Sequence, residues 1–272
     1  MTQRIINPII AGSSPLILDA DALAYITAVE LADTQNLEFG VKRAINSFVI
    51  GCKVDDIWNA IKASCILAGA RTLNGALVPL VGTAPTNNNF VSGDYNRKTG
   101  LLGDGSTKYL DSNRSQTADP QNNHHLSCHV TTIGSGIVLG ARAEASSGLG
   151  DSQLGLGAAS GWQFRSRISN FNTPAQGTRS TANATGFIAL SRSSGSSFVS
   201  RLNSANETIT STSTTPLAGN IGVFARIRTD TSSVDAFSNP RLAFYSIGES
   251  LNLDSLDIRV TQLINDIGAA LP

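Results

Sequence analysis

The chain has little charge: 15% of its 272 residues are Asp, Glu, Lys or Arg, and 20 basic residues face 20 acidic ones. Without a basic excess there is no electrostatic footprint for nucleic acid or anionic lipid, which argues against phosphate binding as a main function. Cysteine is nearly absent. Cys52, Cys65 and Cys128 form an odd set without regular spacing, each in an apolar stretch, and read as reduced, buried thiols rather than a disulfide framework. Long apolar runs are missing too: nothing approaches the ~20 residues of a membrane span. The N-terminal apolar stretch is broken by Asn7, Pro8, Gly12 and Pro15, which suits no signal-peptide core. The expectation is a chain made in a cytoplasm, with no membrane insertion and no nucleic-acid partner. The Asn-x-Thr triplets at Asn183 and Asn206 then carry no glycosylation meaning.

Aromatics are scarce at 6%, whereas there are 25 glycines and abundant Ser, Thr and Asn. That balance suits a β sandwich with tight turns and polar outer faces rather than a helical bundle. The length is enough for one large β domain, or one with a small helical unit, to bury its apolar surface unaided.

Residues 1–18 show turn residues and little periodicity, and predict an extended arm that needs a surface to lie against. Ile5, Ile6, Ile9, Ile10, Leu16 and Ile17 are its apolar side chains, the first five being candidate assembly contacts. Residues 19–70 predict helices. Asp19 or Asp21 can cap a first one carrying Leu23, Ile26 and Val29, and a second from about Gln35 sets Leu37, Val41, Ala44, Ile45 and Phe48 on one stripe. A third, from Asp55 or Asp56, would present Ile57, Trp58 and Ile61. The run Cys65–Ala68 reads equally as a buried strand or a helix end.

From about Tyr109 the period becomes two, with Gly, Ser or Asn punctuation about every eight to twelve residues. Leu126, Cys128 and Val130 alternate with Ser127, His129 and Thr131; Trp162 and Phe164 alternate with Gln163, Arg165 and Arg167; Ile221 to Ile227 alternates likewise with Arg226 and Arg228. Further strands are expected at 137–141, 186–191, 198–202, 208–212 and 242–247. The chain closes with a helical stripe, Leu253, Leu256, Val260, Leu263, Ile264 and Ile267, behind Asn252 or Asp254 as caps.

Two stretches carry a family likeness. The first, RTLNGALVPLVGTAPTNNNFVSGDYNRKTGLLGDGSTKYL from Arg71 to Leu110, joins helical to strand-rich sequence through clusters of turn residues. The second is FYSIGESL from Phe244 with the helix behind it. In wording and pattern they resemble virion proteins of tailed bacteriophages that carry a laminin-G-like, concanavalin A-like jelly roll. The resemblance implies a mainly β antiparallel jelly-roll sandwich over 71–272, with a helical attachment region at 19–70 and a closing C-terminal helix.

The chemistry-bearing residues are few. His124, His125 and His129 invite a metal site with Cys128, but strand alternation would put His125 and His129 on a polar face and Cys128 in the core. No metal or cofactor is expected. Glu30, Glu38, Glu144, Glu207 and Glu249 stand alone, so the paired carboxylates of a glycoside hydrolase are not apparent, although distant Asp residues could meet in space. GLLGDGSTK at 100–108 lacks the Gly-Lys-Ser/Thr of a phosphate loop and predicts a hairpin with Asp104-Gly105 at its tip. Arg165, Arg167, Arg226 and Arg228 are expected in solvent-facing rows, with Trp162 the leading aromatic, as candidate glycan or interface contacts; Phe171, Phe187, Phe198 and Phe224 follow.

The resemblance therefore implies a non-catalytic structural component of a tailed-phage virion, acting in capsid decoration, neck, tail or fibre. Its partners would be other virion proteins and copies of itself, for instance as a trimer that buries the Leu37–Phe48 stripe. The alternative is a carbohydrate-binding module recognising a host surface glycan.

Overall fold

The computed structural model describes residues 17–143, 150–157, 161–168, 177–179 and 184–272. Helix α1 (Ala20–Asp33) starts where the Asp19 side chain accepts the Asp21 N–H, at 3.0 Å, and stops at Thr34 in a left-handed conformation. The linker is tied down when Leu37 N–H donates to Glu30 Oε1 at 2.8 Å, so α2 begins later than the periodicity predicts and spans Phe39–Val54. A single 3₁₀ turn at Trp58–Ala60 replaces the expected third helix, and β1 (Ile61–Ile66) takes Cys65 and Ile66 of the ambiguous run into a strand, leaving Leu67 and Ala68 beyond its end. The short α3 (Leu73–Ala76) is fixed by buried Asp33, which accepts from the backbone of Arg71 and Thr72 and from the Thr72 hydroxyl.

The strands that follow are β2 (Thr86–Asn88), β3 (Tyr95–Asn96), β4 (Gly100–Leu102), β5 (Tyr109–Ser115), β6 (His124–Thr132), β7 (Gly136–Arg142), β8 (Asp151–Gly157), β9 (Gly161–Ile168), β10 (Gly177–Arg179), β11 (Gly186–Arg192), β12 (Ser197–Leu202), β13 (Ala205–Thr210), β14 (Asn220–Val223), β15 (Arg226–Arg228), β16 (Val234–Asp235) and β17 (Arg241–Gly248). Helix α4 (Leu253–Ala270) ends the chain behind Asn252, whose side chain accepts from Asp254 and Ser255.

Two sheets result. One runs β13-β12-β11-β6-β17-β4-β3, with β1 on the same edge of β17 as β4; the other runs β10-β9-β8-β7-β14-β5-β2. Phe224, at φ 67, ends β14 and lets the chain return as β15, parallel to β7, so the second sheet is mixed. The sheets pack face to face around Leu126, Cys128, Trp162, Phe164, Ile188, Leu190, Leu242 and Tyr245, and the molecule is a mainly β, concanavalin A-like jelly-roll sandwich.

A third layer covers the outer face of the first sheet. Ile66, Phe187, Ala189, Ala243 and Phe244 pack against α1, α2 and α4. Gly40 and Gly51 let α4 approach α2: a Cβ on Gly40 would lie 2.6 Å from the Ala270 Cβ, and one on Gly51 would lie 2.7 Å from the Arg259 side chain. Arg259 in turn forks onto Asp55 at 2.7 and 2.9 Å.

Three expectations are corrected here. The Leu37–Phe48 stripe is buried within the chain, against α4 and the sheet, and needs no second copy. Asp104 does make the predicted turn, accepting backbone N–H from Ser106, Thr107 and Lys108 at 2.9 Å, but β4 and β5 belong to different sheets, so it is a crossover and not a hairpin. His125, Ser127 and His129 share a face as predicted, yet that face lies under the helical layer and is buried.

Candidate functional site

The chain leaves α2 at Asp55, takes a left-handed step at Asp56 (φ 55), and drops Ile57 into the core, where its N–H donates to Cys52 O at 2.9 Å. Anchoring Ile57 turns the next side chain, Trp58, outward, where it is half-buried. Trp58 opens the 3₁₀ turn and is rotated away from Ile57, so it packs partly against the core of the helical layer and is partly open to solvent. The indole N–H has no protein partner among the described residues.

Trp58 divides an open trough. On one side lies a cavity of about 480 Å³ walled by Ala24, Tyr25 and Ala28 of α1, by Lys62 of β1 and by Pro79–Val81. On the other lies one of about 540 Å³ walled by Lys53 and Asp56; Asp21, Trp58 and Asn59 line both. The Lys53 ammonium sits 2.7 Å from Asp19 Oδ1 and 2.6 Å from Asp21 Oδ2. These contacts raise its pKa, and the hydrogen bond from Lys53 lowers that of Asp19. Lys62 is paired with Glu249 at 3.3 Å. The trough therefore offers an aromatic face and a free N–H, with carboxylates, an amide and two ammonium groups at its rim. Counting the partners that hold its two ammonium groups, four carboxylates, Asp19, Asp21, Asp56 and Glu249, stand against Lys53 and Lys62.

The residues expected to make contacts lie elsewhere. Trp162 is fully buried between the sheets, its Nε1–H donating to Ala184 O at 3.2 Å, because it shares the inward row with Phe164. Phe187, Phe198 and Phe224 are buried as well, and Phe171 lies outside the described residues. Arg165 and Arg167 are not solvent-facing. Arg165 is buried 3.7 Å from Asp151, which also pairs with Arg142 at 3.2 Å, and burial pushes the Asp151 carboxyl up to about 6 despite these cations. Arg226 and Arg228 are partly buried and engaged within the chain, Arg226 forking onto Asp235 at 2.7 Å through both Nε and Nη2, and Arg228 reaching Asp230 at 3.2 Å. Ile5, Ile6, Ile9, Ile10 and Leu16 lie outside the described residues, as does Glu144.

The histidines are structural. His124 Nε2 is 2.8 Å from Ser166 Oγ, and His125 spans Glu249 O at 2.6 Å and Ser246 Oγ at 2.9 Å. Burial pulls the pKa of His125 and of His129 down to about 4. No group of three or more His, Cys, Asp or Glu among the described residues is placed to hold a metal ion. The three thiols are buried and free, with burial raising Cys52 and Cys65 to about 12. No described helix is long and apolar enough to cross a membrane.

Helical periodicity sets Trp58 on one face with Ile57 and Ile61, which hides it as a site residue. The available signal was the polar frame of Asp55, Asp56 and Asn59, which no buried helix face would carry.

No protein-family model matches the chain, and no curated protein matches it either. Among solved structures, a botulinum neurotoxin type C structure, described by the dependence of cell entry on interaction with two ganglioside molecules, is 12% identical over 79% of this chain and 52% of its own, with a TM-score of 0.46. A Trypanosoma rangeli sialidase mutant displaying trans-sialidase activity is 15% identical over 83% of this chain and 39% of its own, at 0.44. The NanB sialidase of Streptococcus pneumoniae is 11% identical over 57% of this chain and 27% of its own, at 0.37. This chain thus spans about half or less of the length of each. The likeness is loose, and the fold assignment rests on the chain's own strand pairing.

Proposed function

We propose that this chain is a non-catalytic carbohydrate-binding module whose ligand stacks on Trp58. One observation carries the reading: a partly exposed indole, its N–H unpartnered among the described residues, divides a trough whose rim carries carboxylate, amide and ammonium groups. A sugar presents an apolar C–H face to an aromatic ring and hydroxyls to such a rim, and the trough has the volume of a small-molecule site. The local surplus of carboxylate favours neutral or amine-bearing sugars over acidic ones. Single-site affinity is weak in an open trough and gains strength from multivalency.

Calorimetry with neutral, amino and acidic oligosaccharides tests this. Saturable binding of a neutral or amino sugar, lost in Trp58→Ala with the melting temperature retained, is the expected result. Binding indifferent to Trp58→Ala removes the site. Release of reducing sugar that stops in Asp21→Asn or Asp56→Asn would make the trough a hydrolase site instead.

A second reading, a structural component of a tailed-phage virion, rests on the resemblance of 71–110 and on apolar side chains left on the helical layer. Leu31 of α1 and Val54 at the end of α2 are 79% and 75% exposed, Ile17 just before α1 is 85% exposed, and Phe39 at the start of α2 is exposed too. Such residues suit an attachment surface, which would make 1–18 and 19–70 the docking region and oligomers the working form. Leu31→Glu with Val54→Glu should then block assembly while leaving the fold intact; unchanged assembly removes this reading.

A further inference from the structure

The inner face of the sandwich turns polar at one end. Strand β6 begins at His124, β11 ends at Arg192 in register with it, and β9 brings Ser166 and Arg167 across from the opposite sheet. Arg192 Nε donates to Ser166 O at 2.9 Å, and Nη1 donates to the carbonyls of Ser194, Ser197 and Ser211 at 2.8, 3.1 and 3.1 Å. Arg167 arrives by a backbone irregularity. The β8–β9 register shifts between Asp151 and Ser152, and Arg167 sits at φ 53, which takes it out of the outward row where alternation would place it. Its Nη1 donates to Gln116 Oε1 at 3.2 Å.

Charge does not balance here. The nearby acid, Asp119, is gripped by Arg114 through both Nε and Nη2. Neither Arg167 nor Arg192 pairs with a carboxylate among the described residues, although they are 1% and 0% exposed. Burial draws both guanidinium pKa values down to about 10, which still leaves both charged at neutral pH. Burial, with these two cations, keeps the His124 imidazole neutral. Arg167 Nε and Arg192 Nη2 are buried with no acceptor, and the Ser211 hydroxyl is buried without a partner. Carbonyl oxygens spread the charge of Arg192 but cannot neutralise it, and unpaired buried cations are among the most costly arrangements in a fold.

We propose that a small inorganic monoanion of halide size is bound at this end of the sandwich, between the guanidiniums of Arg167 and Arg192, with the Ser211 hydroxyl as a further donor. An anion is a pure acceptor, which is what these orphaned donors lack. The near-complete burial of both arginines selects a compact, weakly hydrated ion over a phosphate or an organic acid. Bound only in the folded state, it stabilises the sandwich by mass action.

The test is the melting temperature of the full chain at neutral pH and fixed ionic strength in sodium chloride, sodium bromide and sodium gluconate. The expected result is a higher, saturable melting temperature in the halides and a loss of that preference in Arg167→Gln. A bromide-soaked crystal of the unaltered protein should show anomalous density between Arg167 and Arg192, a readout that holds if the variant fails to fold. Equal melting temperatures in all three salts, an Arg167→Gln variant with the wild-type halide preference, or the absence of that density overturns the proposal. Glu144 is the one acidic residue outside the described stretches. A halide preference that appears in Glu144→Gln and is absent from wild type would assign the counter-charge to Glu144 and overturn it too.

Discussion

The Lys53 ammonium lies 5.9 Å from the centroid of the Trp58 ring. Because the same ammonium bridges Asp19 and Asp21, the ring is approached by a cation that is itself tethered to helix α1. Replacing Lys53 by Met leaves Asp19 and Asp21 without their ammonium partner. A glucosamine oligomer, with free amines, should then bind several-fold more tightly, with a gain that fades as salt is raised, while its N-acetylated counterpart should change little. Calorimetry at two salt concentrations checks both parts.

Leu263 is buried in α4 between α2 and the outer face of the first sheet. Leu263→Ala should cost about 2–5 kcal/mol, visible as a lower urea midpoint with an unchanged slope. A midpoint within error of wild type would mean that the helix is not seated as described.

Two glycines of the helical layer should respond in opposite directions. A Cβ on Gly268 meets nothing within 4 Å, so Gly268→Ala should add about 0.5–1 kcal/mol through helix propensity. Gly40→Leu must push α4 away from α2 and should lose about 1–3 kcal/mol. Thermal melts of the two variants, side by side, test the close approach of the helices.

Acid should weaken the fold before most carboxylates titrate. The folded-state pKa of His125 and of His129 is about 4, against the ordinary value of 6.5, because burial penalises the imidazolium. The unfolded chain therefore binds these protons first. Stability is fully present above pH 6.5 and is lost as pH falls toward 4, by roughly 3 kcal/mol for each imidazole at the lower limit. Asp151 acts in the opposite sense, since its raised carboxyl favours the protonated folded form. Urea midpoints between pH 7 and pH 4 should fall, and His125→Gln, if it folds, should flatten part of that slope. A flat wild-type profile would show that the imidazoles reach water.

The helical stripes of α2 and α4, the caps at Asp19 and Asn252, and the alternation of β6, β9 and β11 were legible because each is set within a few neighbouring residues, by the helical or strand period and by the reach of a capping side chain. The same alternation sets Trp162 in the core row beside Phe164, which is why it is no surface contact. Arg167 was illegible because a register shift and a positive φ moved it off the row that alternation predicts.

Local pattern thus specified which residues share a face, and with it the class of fold. Whether that face meets water depends on what the rest of the chain lays over it. His125, Ser127 and His129 share the polar row expected of them and are buried, because α2 and α4, distant in sequence, close over the sheet. Trp58 emerges for the converse reason: Ile57 is drawn into the core by its non-local neighbours, and the next residue is left to face the trough. Periodicity is a property of a few adjacent residues, whereas solvent exposure is a property of contacts between segments far apart in the chain.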